Sequence, residues 1–280
     1  MATKKKTTAK KNEVAVRDDV NTLPVAAGDY ADFAGDGYDG QTSEDVAIPF
    51  INLLQAMSPE VQDDGVEDAR PGMLIDSVTG ELYKEFEFTP AFSQHVYVEW
   101  VPRDAGGGIV TTHGLNSDIV KAAKARSAQF GKYTTEDGND LVETFYLFGI
   151  VSVDGSPRGM AVQAFTSTKI KAYKAAMTRL RSYTLPLEDG RRISPPMFAH
   201  LLKVTTKQQK NTKGSFYVPS LVPAVENDVA KSLLPTNDIR FQMAKECYEL
   251  VKEGKATADT KGQEAGAASV AGDPEEDMPF

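Results

Sequence analysis

The sequence predicts a mainly β chain of the α+β class, and three observations carry that expectation. Apolar and polar residues alternate through HVYVEWV at His95–Val101, as in a strand with one covered face. An almost unbroken apolar run fills Leu141–Val153, the pattern of a central strand covered on both faces. Helical spacing of apolar residues is confined to a few short stretches.

Residues 1–45 join a Lys/Thr/Ala leader to the segment GDYADFAGDGYDGQTSED. Their apolar surface is too small to offset the entropy of ordering, so a disordered tail is expected. Order is expected to begin near Val46, where AIPFINLLQAM supplies the first dense apolar cluster, and Pro59 and Pro71 bracket an acidic loop. Met73–Val101 then divides into strands: GMLID, a Thr79-Gly80 turn, ELY, EFEFTP and HVYVEWV. Gly106–Gly108 breaks the series, and Asn116–Phe130, built on Ala and Lys with Ile119, is expected to be helical. Leu141–Val153 turns through Asp154-Gly155 into a strand over Gly159–Phe165, which makes a hairpin.

Thr166 or Ser167 is positioned to cap the next helix, whose residues Ile170, Tyr173, Met177 and Leu180 recur on one face while Lys171, Lys174 and Arg181 form a separate stripe. One face would pack and the other would be basic. Met197–Thr206 and Ser215–Val222 are expected to be strands joined by the polar turn KQQKNTKG, with Pro219 placing the second at an edge. A last helix covers Asp238–Lys252, and residues 253–280 return to a disordered, acidic composition. The order fits an OB-like five-stranded barrel with added strands and helices over residues 46–252, flanked by the two tails.

The net charge of −9 conceals a segregated pattern. Met1–Asn12 has five lysines and no acid, whereas Glu13–Asp68 has fourteen acids against Arg17 alone. Lys169–Lys213 reverses the sign, with eleven bases against Glu188 and Asp189. Such contrast separates a cationic surface from acidic tails, although a charge run by itself is ordinarily only solvated surface.

Catalytic and metal chemistry lack a supply of residues. His95, His113 and His200 are far apart and stand in no metal-ligand spacing, and Cys247 has no partner for a disulfide or CxxC site. Neither GxxxxGK[ST] nor GxSxG occurs, and Gly106–Gly108 lacks the Lys-Ser/Thr of a phosphate loop. The acidic stretch around Gly37 fails as an EF-hand, since Ala34 and Ser43 fall at ligand positions. No enzyme activity, cofactor or metal is expected. No run approaches the ~20 apolar residues of a membrane span, so no membrane partner is expected either.

A single nucleic-acid strand needs cations to track phosphates and flat rings on which bases stack. The expected phosphate-tracking residues are Lys171, Lys174, Arg181, Arg191, Arg192, Lys203, Lys207, Lys210 and Lys213. Tyr183, Tyr217 and Trp100 are the stacking candidates; of Phe216 and Tyr217, alternation lets only one point outward. Tyr173 and Phe198 are assigned to the core.

The chain closes on Asp273-Pro274-Glu275-Glu276-Asp277-Met278-Pro279-Phe280. This resembles the C-terminal tip of bacterial single-stranded DNA-binding proteins, which is acidic and ends in a hydrophobic residue, Pro and Phe. The resemblance implies that Asp273, Glu275, Glu276, Asp277, Met278, Pro279 and Phe280 recruit replication or recombination proteins, Phe280 filling an apolar pocket while its carboxylate and the acids meet bases. IPFINLLQAMSPEV followed by PGMLIDSVTGELY is similar to tailed-bacteriophage proteins, some of which bind single-stranded DNA. The expectation is therefore a sequence-independent single-stranded DNA-binding protein of phage replication or recombination, acting in the host cytoplasm, with homo-oligomers open to it. Two alternatives remain at this stage: a strand-annealing recombination protein or nuclease, and a phage structural or adaptor protein.

Overall fold

The computed structural model describes residues 48–62, 65–212 and 214–255, with positions 32, 33, 36, 37, 40, 258 and 263 besides. The chain divides into one unit over Met1–Thr42 and another over Ser43–Phe280, and the second is described below.

In chain order its strands are β1 (Ile51–Leu53), β2 (Leu74–Asp76), β3 (Leu82–Tyr83), β4 (Phe86–Trp100) and β5 (Ile109–Gly114), followed after helix α1 (Asp118–Arg126) by β6 (Tyr133–Thr134), β7 (Asp140–Val153) and β8 (Ser156–Thr166). Helix α2 (Ile170–Ser182) leads to β9 (Leu185–Pro186), β10 (Arg192–Ile193), β11 (Leu202–Asn211), β12 (Gly214–Pro223) and helix α3 (Ile239–Lys252). The main sheet has seven strands in the order β12-β11-β4-β7-β6, with β5 on β4 and β8 on β7. All its ladders are antiparallel. β1, β2 and β3 form a small sheet of their own, and β9 pairs with β10.

The spine is β4 against β7, paired from Glu87↔Ser152 to Trp100↔Asp140. Because both strands are long, each serves two neighbours along one edge. β4 pairs β11 at Phe86–Phe88 and β5 at Val96–Trp100, while β7 pairs β6 at its start and β8 over Thr144–Val153. Asp154 (φ 50°) and Gly155 (φ 78°) supply the left-handed turn that a two-residue hairpin needs.

The mainly β, α+β class holds, but the five-stranded barrel does not form: among the described residues no ladder joins the two ends of the main sheet. The reason lies in β7. Phe145, Leu147 and Val151 enter one core with α2, while Tyr146, Phe148 and Ile150 enter a second core with α3. A sheet covered on both faces stays open, whereas a small barrel turns one face inward on itself.

Pro90 divides the apolar pattern of β4, so the sequence suggests two strands where the structure has one. The register shifts between Pro90 and Phe92, leaving Ala91 as the extra residue of a β-bulge. A bulge tolerates the missing N–H of a proline. Ala91 and Phe92 both pack in the core beneath α3, and beyond them Ser93, His95 and Tyr97 return to the α2 side. KQQKNTKG is likewise mostly strand. Lys207–Asn211 pairs with Gly214–Val218 as a ribbon beyond β4, exposed and polar along β11 and at its tip, while Tyr217 and Val218 of β12 are drawn toward the body.

The expected cap at Thr166 or Ser167 does not form. A short 3-10 turn over Ser167–Lys169 precedes α2, and the Thr166 side chain makes no capping bond. α1 and α3 are capped by Ser117 and Asp238, which accept from Val120 N and Arg240 N. Hydrogen bonds from Arg240 hold the Asp238 carboxyl below the usual range, and the same guanidinium reaches Glu87 on β4 at 3.0 Å. Cys247 is buried under α3, its thiol pushed up to about 12 by burial, so it is a core residue. Past α3, Ala258 bridges Ile48 and Gln263 is buried against Tyr146, so the body reaches these two residues as well.

Candidate nucleic-acid interface

On the side of the sheet that carries α2, alternation along β4 and β7 aligns aromatic residues from neighbouring strands into a row. Tyr133 meets Tyr97 at 5.9 Å, Tyr97 meets His95 at 6.3 Å, His95 stacks on Phe145 at 3.9 Å, and Phe145 meets Tyr173 of α2 at 4.7 Å between centroids. The Tyr173 hydroxyl is hydrogen-bonded to Ser93. Tyr97, Phe145 and Tyr173 are buried, so the row is floor rather than wall.

Two ammonium groups approach this floor from different helices. Lys124 of α1 lies 4.5 Å from the Tyr97 ring centre and 5.9 Å from that of Tyr133, and Lys174 of α2 lies 5.4 Å from that of Phe145. Both side chains are exposed. Cation–π attraction orients them at a cost small enough for a stronger anion to recruit them.

Between them His95 Nε2 donates to Glu143 Oε1 at 2.9 Å, and each side chain is about a third exposed, at 31% and 32%. Burial pushes the His95 imidazolium below its ordinary range; Glu143 opposes this, while Lys174 and Lys124 reinforce it. Burial thus favours the neutral ring. The groove thus sets two ammoniums against one carboxylate over a floor of rings, an arrangement able to hold phosphates at its sides and offer hydrogen-bonding edges between.

The cations expected from the sequence are not equally placed. Lys171, Lys174 and Arg181 are all exposed on α2, and Lys174 alone of the nine joins the ring row. Arg191 and Arg192 lie on the exposed β9–β10 ribbon, Arg191 paired with Asp189 at 2.6 Å and Arg192 folded onto the Thr184 hydroxyl at 2.6 Å. Lys203 is paired with Glu85 at 2.7 Å. Lys207 and Lys210 are exposed on the outer part of β11 but on opposite faces of it: Lys210 shares the side of Val204, which packs in the α2 core, and Lys207 takes the other. Lys213 lies outside the described residues.

The expected rings are placed differently again. Tyr183 is half-buried where α2 ends. Tyr217 packs against the α2 core: its ring occupies the space a Cβ on Gly72 would need, and Gln55 clamps its backbone through two hydrogen bonds of 2.9 Å. Trp100 packs, partly buried, in the core beneath α3, on the opposite side of the sheet from Lys174. Asp273, Glu275, Glu276, Asp277, Met278, Pro279 and Phe280 lie outside the described residues.

Lys124, His95, Tyr97 and Tyr133 were missed, although a signal was present. KAAKARSAQFGKY, residues 121–133, interleaves four bases with two rings and contains no acid. The other histidines do not contribute to the groove. His113 donates to the buried Glu99 at 2.6 Å; burial pushes that carboxyl up, but hydrogen bonds from Asn139 and His113 prevail and hold it low. His200 is buried and pushed down to about 4 by burial. Among the described residues no cluster of three or more His, Cys, Asp or Glu is placed to hold a metal, and no helix is long and apolar enough to cross a membrane.

A family model described as Pam3 phage gp34-like protein matches residues 18–257. The chain belongs to the Pam3 phage gp34-like family. It is a phage protein, as the IPFINLLQAMSPEV and PGMLIDSVTGELY stretches suggested, and both stretches fall inside the gp34-like match. So does the whole groove between α1 and α2, whereas the Asp273–Phe280 tip falls beyond it. No curated protein and no solved structure matches the chain.

Proposed function

We propose that this gp34-like phage protein binds single-stranded DNA without reading its sequence, in phage replication or recombination. The observation that carries the reading is the approach of Lys124 and Lys174, from two separate helices, to one row of rings. Lys171 and Arg181 on α2, and Lys210 on the same side of the sheet, extend the cationic surface beyond the row. The protein works by binding rather than catalysis, in the host cytoplasm, and its acidic tip, Asp273–Phe280, recruits partner proteins of DNA metabolism.

Titration with oligothymidine and with duplex of equal length, at several salt concentrations, tests the reading. For the single strand log K is expected to fall with log salt at about 0.7 per phosphate neutralised, and duplex is expected to bind much more weakly. Equal affinity for both forms, or no salt-dependent binding of the single strand, would refute it.

A further inference from the structure

The turn between α1 and β6 displays Phe130 at 85% exposure, the highest among the large apolar side chains of the described residues. A single exposed apolar side chain is ordinary. This one differs in being held out by a braced turn. The Ser127 hydroxyl reaches the carbonyls of Gln129 and Lys132 and accepts from Gln129 N at 3.2 Å, and Gly131 takes the left-handed φ of 84° that reverses the chain. Arg126 ties the end of α1 to β6 through Glu136 Oε1 at 2.9 Å and the Thr134 carbonyl at 3.3 Å.

The Phe130 ring stands edge-on to Tyr133, at 6.5 Å and 81°, and Tyr133 continues into the buried row through Tyr97. Phe130 and Tyr133 are thus the open end of that row, with Lys124 at 5.9 Å from Tyr133. Lys121 pairs with Asp118 and Arg126 with Glu136, while the Lys124 ammonium lies over the rings themselves, and that cation beside an exposed ring favours an anionic chain with flat bases over an apolar protein surface as the occupant.

We propose that Phe130 and Tyr133 form a seat for an unpaired nucleobase, with Lys124 meeting the adjacent phosphate. This rests on the single-strand reading above and gives it a physical basis for rejecting duplex: bases within a duplex are already stacked on one another and cannot reach a protein ring, whereas every unpaired base offers a π-face.

The test uses the full chain and fluorescein-labelled oligothymidine followed by anisotropy. Phe130→Ala is expected to weaken single-strand binding about tenfold, within the range for losing one stacked base, and to leave the weak duplex binding unchanged. Phe130→Trp is expected to keep the affinity and to add indole fluorescence that is quenched as oligothymidine is added. If the unaltered protein binds oligothymidine and Phe130→Ala binds it equally well, the seat is wrong while the function stands. If Phe130→Ala keeps its affinity but splits an oligomer into monomers, the surface belongs to a second copy of the chain. Failure of the unaltered protein to bind oligothymidine removes both proposals.

Discussion

Replacing Lys124 and Lys174 together by glutamate is expected to lower oligothymidine affinity about a hundredfold at about 50 mM salt and to flatten the log K against log salt slope by about 1.4. The size follows from counterion release. Each phosphate met by a cation on a single strand contributes about 0.7 to the slope, hence nearly a factor of ten per contact at that salt, and reversal adds repulsion to the loss. Folding is not at stake, since both side chains are exposed and their ring contacts contribute about 0.5–1 kcal/mol each. The control is Lys245→Glu with Lys252→Glu, an equal change in net charge at exposed positions of α3, across the sheet. It is expected to cost less than about threefold, because charges more than a Debye length from the strand are screened. Equal losses in the two double variants would show that net charge, not the groove, sets affinity.

Gly149→Val is expected to lower stability by about 3 kcal/mol, a large share of the roughly 5–15 kcal/mol that holds an ordinary domain folded. Gly149 lies in β7 opposite Pro90, where the β4 bulge begins. A Cβ there would sit 2.3 Å from the Thr89 carbonyl oxygen and 2.7 Å from the Phe88 ring, and both neighbours are fully buried. The backbone oxygen cannot move without opening the ladder that carries both cores. The ring cannot move without leaving the α2 core. Urea unfolding followed by circular dichroism checks this, and an unchanged midpoint would mean that the bulge yields where it is described as rigid.

Much of the sheet was legible because its determinants are local. The alternation of HVYVEWV, the Asp154-Gly155 turn and the continuous apolar run of β7 each report their own few residues, and each recurs in the structure. Pro90 and KQQKNTKG misled for the same reason. Read locally they are breaks, whereas a bulge and a protruding ribbon depend on what lies alongside. The barrel failed on a still longer range: whether a sheet closes depends on what covers its second face, and α3 covers it from far along the chain.

The site divides along the same line. The basic stripe of α2 follows from helical spacing and is where the sequence placed it. The ring row does not follow, because it requires the register that sets His95 opposite Phe145, fifty positions away, and the packing of α1 over Tyr97. Local parity showed that Phe216 and Tyr217 face opposite sides, but not that Gly72 would leave room for the Tyr217 ring on the inner one. Trp100 lies on the same side of β4 as Val98, the side that packs beneath α3, which follows only once the bulge at Ala91 has reset the alternation.

A single strand is expected to lie across the ring row between α1 and α2. Ultraviolet crosslinking of bromodeoxyuridine-substituted oligothymidine, with the modified peptides mapped by mass spectrometry, tests it most directly. Adducts are expected at Phe130, Tyr133 and His95. Adducts confined to the other side of the sheet, at Trp100 and at Tyr248 of α3, both of which pack against the core beneath that helix, would overturn it.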